Sequence, residues 1–402
     1  MYVHGIRSLF VFEGYVVRKI TMCGDLVQAD LRRDGRRRLR CPACGGRMNV
    51  HRTLTQTARD LPLGTALHVV LTYPAIQGRC KTCGGFSTIR PGGIDDHARA
   101  SRRLMEFVSG LAKHMPLSHI KEVVGIDDAT AFRWDKAVLL RNLPPPNLDD
   151  LRILLVDEKA VRKGHGYVTL VMNGITGELI YLAEGKKKES LQGFFDKLSK
   201  AQKASIVAVA MDRAGAYYEV VKEQLPDADI VFDKFHLIVN YHAVIDEVRR
   251  EEWRKAKGQY KDVIKGQRYN LFRNPENRTS AQTQSLMNLL HMNRNLAVCY
   301  LLKDAFKKLW DYKRLGPAGK YLAKWVRWAA VSGVEALRDF GRRLLKVKEE
   351  ILNYCRHPVT IGPLESFNNT VSRIIHRACG VTNLDYLFLK LRQESLETDQ
   401  RK

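Results

Sequence analysis

Three apolar runs in the middle of the 402-residue chain each stop on an aspartate, and this pattern constrains the fold more than any other feature. Residues 152–156 run into Asp157, residues 206–211 into Asp212, and residues 229–232 into Asp233. Two further strand-like segments, 167–172 and 178–183, follow the first run after short Gly-bearing turns, which reads as an antiparallel meander. Helical spacing is predicted over 189–200 and 214–225, so the order is three antiparallel strands, then helix, strand, helix, strand. That order is ribonuclease H-like, and in it the first and fourth strands are neighbours. Asp157 and Asp212 are then expected side by side.

Two carboxylates on adjacent strand ends repel unless a cation lies between them. Mg²⁺ (or Mn²⁺) takes oxygen ligands from one or two carboxylates plus substrate phosphate, and a pair of such ions can activate an attacking hydroxyl and stabilise a leaving oxygen. The third acid expected is Glu365, in the helical segment IGPLESFNNTVSRIIHRACG opened by Pro363. Leu364, Phe367, Val371, Ile374 and Ile375 give that helix a buried face, while Arg373 and Arg377 are left to hold a DNA backbone. Asn368 and Asn369 are placed either to touch DNA or to orient an acid. Taken singly, an Asp after a strand also serves as a helix cap and a first-turn Glu also complements the helix dipole.

The eight cysteines include two pairs, Cys41-Pro-Ala-Cys44 and Cys80-Lys-Thr-Cys83, each followed by two glycines. Thiolates two residues apart on Gly-containing turns can put two sulfurs each on one tetrahedral ion, so the arrangement reads as a structural zinc ribbon with Zn²⁺ on Cys41, Cys44, Cys80 and Cys83. One strand, over 66–73, is expected between the pairs. Cys23, Cys299, Cys355 and Cys379 are scattered and read as ordinary thiols.

Residues 97–113 have helical apolar spacing. Beyond them Ile120, Val123 and Val124 end a short helix, Gly125 supplies a turn, and Asp127 or Asp128 caps a helix that carries Ala131, Trp134 and Val138 inward. This is the helix-turn-helix pattern, in which Thr130, Arg133 and Lys136 face outward toward DNA; a plain helical hairpin has the same apolar spacing. Pro144-Pro145-Pro146 then marks a boundary.

Charge points to a polyanion: 67 Lys and Arg against 43 Asp and Glu give a net +24. The excess is uneven. Residues 1–90 hold 15 basic against 5 acidic side chains, 91–150 hold 8 against 9, and 240–350 hold 24 against 12. The apolar runs fall far short of the ~20 residues a membrane helix needs, which excludes a helical membrane protein. The N-terminal residues carry no signal-peptide pattern, so a cytoplasmic protein is expected.

These motifs resemble the ISL-three family of bacterial insertion-sequence transposases. The resemblance spans nearly the whole chain and is carried by CPACG at Cys41, LLVDEKAVRKGHGYVTLV around Asp157, AVAMDRAGAYY at Asp212, VFDKFHLIVNYHAVIDEVRR, and PLESFNNTVSRIIHRACG. It implies a DDE enzyme whose metal triad is Asp157, Asp212 and Glu365. It also implies that Asp233 and His236 form a D-x-x-H signature of unassigned role, and that Glu158, Lys159 and Arg162 line the substrate channel. A further implication is an all-helical insertion between Asp212 and Glu365, whose aromatics (Trp253, Trp310, Trp325, Trp328) serve either as a DNA-gripping surface or as helix core. The expected chain is therefore a multi-domain α+β protein: zinc ribbon (1–90), helix-turn-helix (91–146), ribonuclease H-like α/β catalytic core (147–239), helical insertion (240–355) and the core's C-terminal helix and tail (356–402). The expected activity is binding of terminal inverted repeats, metal-dependent DNA strand cleavage and 3′-hydroxyl transfer into target DNA, by a homodimer on paired ends. A transposase-derived regulator without catalysis and a nuclease of the same fold are the alternatives.

Overall fold

A computed structural model describes residues 8–162, 166–212, 215–378 and 383–399; Cys379 and the side chain of Arg162 lie outside the described set. The chain divides into two compact units, Met1–Pro144 with Arg373–Gln393, and Pro145–Ser372 with Glu394–Lys402.

The first unit holds far more sheet than the single strand expected. β1 (Tyr15–Cys23), β2 (Leu26–Arg33), β3 (Met48–Asp60), β4 (His68–Cys80), β5 (Phe86–Ile89), β6 (Ile94–Asp95) and β7 (Ala100–Ser101) form one sheet in the order β1-β2-β4-β3-β7-β6, with β5 added on β4. The strand predicted at 66–73 is the start of β4, which continues to Cys80. Alternation in β2 turns Val27, Ala29 and Leu31 inward against Val69, Leu71 and Tyr73 of β4, its parallel neighbour.

Three helices follow: α1 (Arg102–Ala112), α2 (Leu117–Val124) and α3 (Asp128–Asn142). Gly125 ends α2 in the left-handed conformation (φ 66°), and Asp127 caps α3 by accepting from the Thr130 N–H at 2.8 Å. Leu104, Val108, Ile120, Val124, Ala131, Trp134 and Val138 make their common core, as their spacing predicts.

In the second unit, β8 (Ile153–Arg162), β9 (Gly166–Asn173) and β10 (Leu179–Glu184) are antiparallel, and β11 (Ala208–Met211) and β12 (Asp229–Phe232) lie parallel to β8. The order is β10-β9-β8-β11-β12, so the first and fourth strands are neighbours. β8 does not stop at Asp157: antiparallel pairing with β9 carries it on to Arg162, while its parallel pairing with β11 ends at Val156↔Met211. The helix predicted over 189–200 is two helices, α4 (Lys188–Phe195) and α5 (Lys200–Ser205). Ser199 starts the second with a capping box closed by Gln202. α6 (Gly215–Gln224) connects β11 to β12.

Beyond β12 come α7 (Lys234–Lys255), α8 (Gln259–Ile264), α9 (Arg268–Phe272), α10 (Ser280–Met292), α11 (Arg294–Lys307), α12 (Leu315–Val331), α13 (Glu335–Leu345) and α14 (Lys348–Leu352). Their core is continuous with that of the sheet: Tyr241 of α7 packs its ring on Phe306, Trp325 and Phe340. Trp325 is fully buried and donates its indole N–H to Leu302 O at 2.9 Å. Trp310 is half-buried, and Trp253 and Trp328 are partly exposed. α15 (Gly362–Arg377) and α16 (Leu384–Asp399) complete the chain, each contributing residues to both units. No helix among the described residues is long and apolar enough to cross a membrane.

Candidate active site and cysteine cluster

The β8–β11 register brings the first two acids together. Asp157 and Asp212 each sit one residue past the last registered pair, Val156↔Met211, so parallel pairing alone sets them side by side. Asp157 is buried, and burial pushes its carboxyl above the ordinary range. Two donors hold that carboxylate: the Glu158 N–H reaches Oδ1 at 2.9 Å and the Asn368 amide reaches Oδ2 at 2.7 Å. Asn368 stands one turn after Glu365 on α15, so the helix that carries the third acid also orients the first. The Glu365 carboxyl is raised as well, by burial and by the charges of Asp233, Asp157 and Asp212. The three acids feel one another's field.

Among these carboxylates lies His236, on the first turn of α7. Its Nε2 is 3.6 Å from Asp212 Oδ2, and its Nδ1 is 3.4 Å from Asp233 Oδ2 and 3.7 Å from Glu365 Oε1. Hydrogen bonding to Asp233, together with the charges of Asp212, Asp233 and Glu365, raises the imidazole to about 9 against its partial burial. Asp233 is buried and caps α7, accepting from the N–H groups of Phe235 (2.8 Å) and His236 (3.1 Å) through Oδ2. Its Oδ1 accepts from the Ile361 N–H at 3.2 Å, which ties the start of α7 to the residue just before α15. Burial disfavours this carboxylate, but His236 and the backbone donors outweigh it and hold its pKa below the ordinary range. Asp233, His236 and Glu365 are close enough to share an ion. The spacing of D-x-x-H marked the two residues; that they reach both Asp212 and Glu365 is a tertiary fact no local pattern carries.

The donor set is of the kind a hard divalent cation takes: it is carboxylate oxygen, and burial first, then the neighbouring acid charges, raises two of the carboxyls. Glu158 borders this group with its own carboxyl raised by burial and by Asp157. Lys159 lies next along β8.

Among the described residues, the four paired cysteines form a second group able to hold a metal. Cys41 Sγ is 3.8 Å from Cys83 Sγ, and Cys44 Sγ is 3.5 Å from Cys80 Sγ. Sulfurs at ~2.3 Å from a tetrahedral zinc are themselves about 3.8 Å apart, so the set fits that ion. The two turns repeat one design: Cys41 N–H donates to Gly46 O and Gly45 N–H to Cys41 O, while Cys80 and Gly84 do the same with Gly85 and Cys80. Gly45 and Gly84 share φ 70°, which side chains rarely adopt. The backbone N–H groups of Cys83 and Thr82 lower the Cys80 thiol to about 6.

A family profile described as Transposase, that of the DDE enzymes of the ISL-three group, matches residues 154–391, well over half the chain. The protein is 33% identical over 356 residues to the transposase for insertion sequence element IS1001 of Bordetella parapertussis, covering 88% of this chain and 87% of that relative. The chain belongs to the ISL-three family of insertion-sequence transposases. The transposase for element IS1557 of Mycobacterium tuberculosis is also similar, 28% identical over 255 residues, 58% of this chain and 57% of its own length.

The remaining sequence-predicted residues of this transposase are dispersed. Thr130 is half-buried, with its hydroxyl donating to Asp127 Oδ2 at 2.9 Å and accepting from Arg133 Nη2 at 2.9 Å. Arg133 is exposed. Lys136 is half-buried rather than outward, with Nζ 3.4 Å from Asn383 Oδ1. Arg373 is exposed, and Arg377 is half-buried beside Met115, Leu117 and Tyr386.

Proposed function

We propose that this transposase binds the terminal inverted repeats of its own element, cuts a DNA strand at each end and joins the 3′-hydroxyl to target DNA. In this reading Asp157, Asp212 and Glu365 hold Mg²⁺ (or Mn²⁺) in a ribonuclease H-like core formed by 147–239 and 356–402, with 240–355 as a helical insertion. What supports the reading is that the strand register sets Asp157 beside Asp212, and that the charges of both bear on Glu365 of the distant helix. When bound, the ions supply charge neutralisation at the scissile phosphate and activate the attacking oxygen. The chain's own contribution is positional. Asn368 fixes the Asp157 carboxylate, Asp233 holds the start of α7 to Ile361, and His236 stands between Asp212 and Glu365. Zn²⁺ on Cys41, Cys44, Cys80 and Cys83 stabilises the end of the basic 1–90 segment, and 91–146 contacts DNA through its helix-turn-helix, with Arg373 and Arg377 on the backbone. Glu158 and Lys159 line the channel. The protein works in the bacterial cytoplasm, on the nucleoid, as a homodimer, because two element ends are processed together.

The test is a joining assay with full-length protein, a linear DNA carrying the element's end, a target plasmid and Mg²⁺. Joined product is expected. Cleavage with no joined product would make the protein a nuclease, and end binding with neither would make it a regulator.

A further inference from the structure

In the first unit, a cleft of about 600 Å³ lies beside the start of α3, and Arg59, His97, Arg99, Thr130, Arg133 and Trp134 are among its lining residues. We propose that this cleft receives a DNA strand and that Arg99 is its phosphate contact, a residue not among the DNA-contacting side chains read from the sequence. The proposal rests on the reading of 91–146 as a DNA-binding element and extends the contact surface from its helices to its β6–β7 hairpin.

The backbone of Arg99 carries the argument. Among the described residues, twelve glycines have positive φ and Arg99, at φ 48°, is the one non-glycine that does. The hairpin dictates this conformation. Asp95 and Ala100 pair across it, the Arg99 N–H donates to Asp95 O at 3.1 Å, and Arg99 O accepts from the Arg59 N–H at 2.8 Å. Asp95 Oδ1 tightens the turn further by accepting from the N–H groups of His97 (3.1 Å) and Ala98 (2.9 Å). Glycine would take the left-handed conformation without the steric penalty an L side chain meets there. No contact of the side chain among the described residues offsets that penalty: Arg99 is exposed, and its guanidinium has no hydrogen-bond or ion-pair partner there. Strain kept without an internal return points outward, to a ligand.

The rest of the cleft narrows the ligand to a polyanion. Arg59 is committed to structure, donating to the Val124 and Gly125 carbonyls at 2.9 Å each, and thereby fixes the turn before α3 against β3. The two acids are also committed, Asp95 to its turn and Asp127 to the Thr130 N–H and hydroxyl. Arg99 and Arg133 are left as the outward cations of one cleft, set beside the α3 N-terminus that the helix-turn-helix reading points at DNA. A guanidinium in that position suits a phosphodiester oxygen, which positions a duplex without reading its bases.

The test uses full-length protein and a labelled duplex of arbitrary sequence, about 30 base pairs long, titrated at several salt concentrations. Arg99→Gly is expected to keep or raise the melting temperature while weakening duplex binding roughly threefold to tenfold and reducing the salt slope by about 0.9, and Arg99→Lys to restore most of that slope. Wild-type binding by Arg99→Gly with weakened binding by Arg133→Ala would overturn the proposal and leave the DNA-binding element standing. Wild-type binding by both would overturn that element too. A fall in melting temperature for Arg99→Gly would also overturn it, by making the side chain structural.

Discussion

At the scale of single residues, the candidate site is governed by how each carboxylate is held. Asp157 is buried, and among the described residues its donors are the Glu158 N–H and the Asn368 amide, so Asn368 carries much of its orientation. Removing that amide leaves a buried carboxylate with one fewer partner, which costs more than the mean hydrogen bond contributes. Asn368→Ala should therefore lower the rate of DNA cleavage by ~10–100-fold and raise the Mg²⁺ concentration needed for half-maximal rate, the size typical of a residue that orients a metal ligand. Asn368→Asp, which puts a second charge against Asp157, should be worse. Equal Mg²⁺ curves for wild type and Asn368→Ala would remove the residue from the site. In the sequence Asn368 has two open roles, to touch DNA or to orient an acid; its contact with Asp157 spans 211 positions and has no local signature.

At the scale of elements, the helices between β12 and α15 behave as part of the core rather than as a separate layer, and one of them carries a built-in acid sensitivity. His242 of α7 stacks on Phe272 of α9, with ring centroids 4.6 Å apart and planes 5° apart. Burial, with the nearby charges of Lys303 and Lys307, lowers its imidazole from 6.5 to about 4. The folded state thus keeps His242 neutral where the unfolded chain takes up a proton. The contribution to stability is complete above pH 6.5 and is lost as the pH falls toward 4. The melting temperature should drop by a few degrees between pH 7 and 5, and His242→Phe should flatten that part of the profile; an unchanged slope in the variant would place the sensitivity elsewhere. Element order in this unit was legible because apolar runs ending on Asp, and turns rich in Gly, are local signals. Two boundaries were not. The extension of β8 through Glu158 and Lys159 depends on pairing with β9, and the break after Phe195 on Ser199 capping a new helix.

At the scale of the whole molecule, the +24 charge falls mainly on residues 1–90 and 240–350, and the acids that gather around His236 come from the segments between and after them. The first ninety residues were the least legible part. A sheet whose central strands pair in parallel across 42 positions, as Leu26 does with His68, leaves no periodic trace beyond short alternations, and β3 is polar along most of its length. The cysteine pairs were legible because their spacing and glycines are local chemistry. The central claim is that Asp157, Asp212 and Glu365 act as one metal-dependent centre for cutting DNA. Strand cleavage of a linear element end in Mg²⁺ should be compared for the wild type and for Asp157→Ala, Asp212→Ala and Glu365→Ala, with duplex binding measured alongside. Each variant should bind DNA as the wild type does and cut at least ~100-fold more slowly; wild-type cleavage by any one of the three would contradict the account.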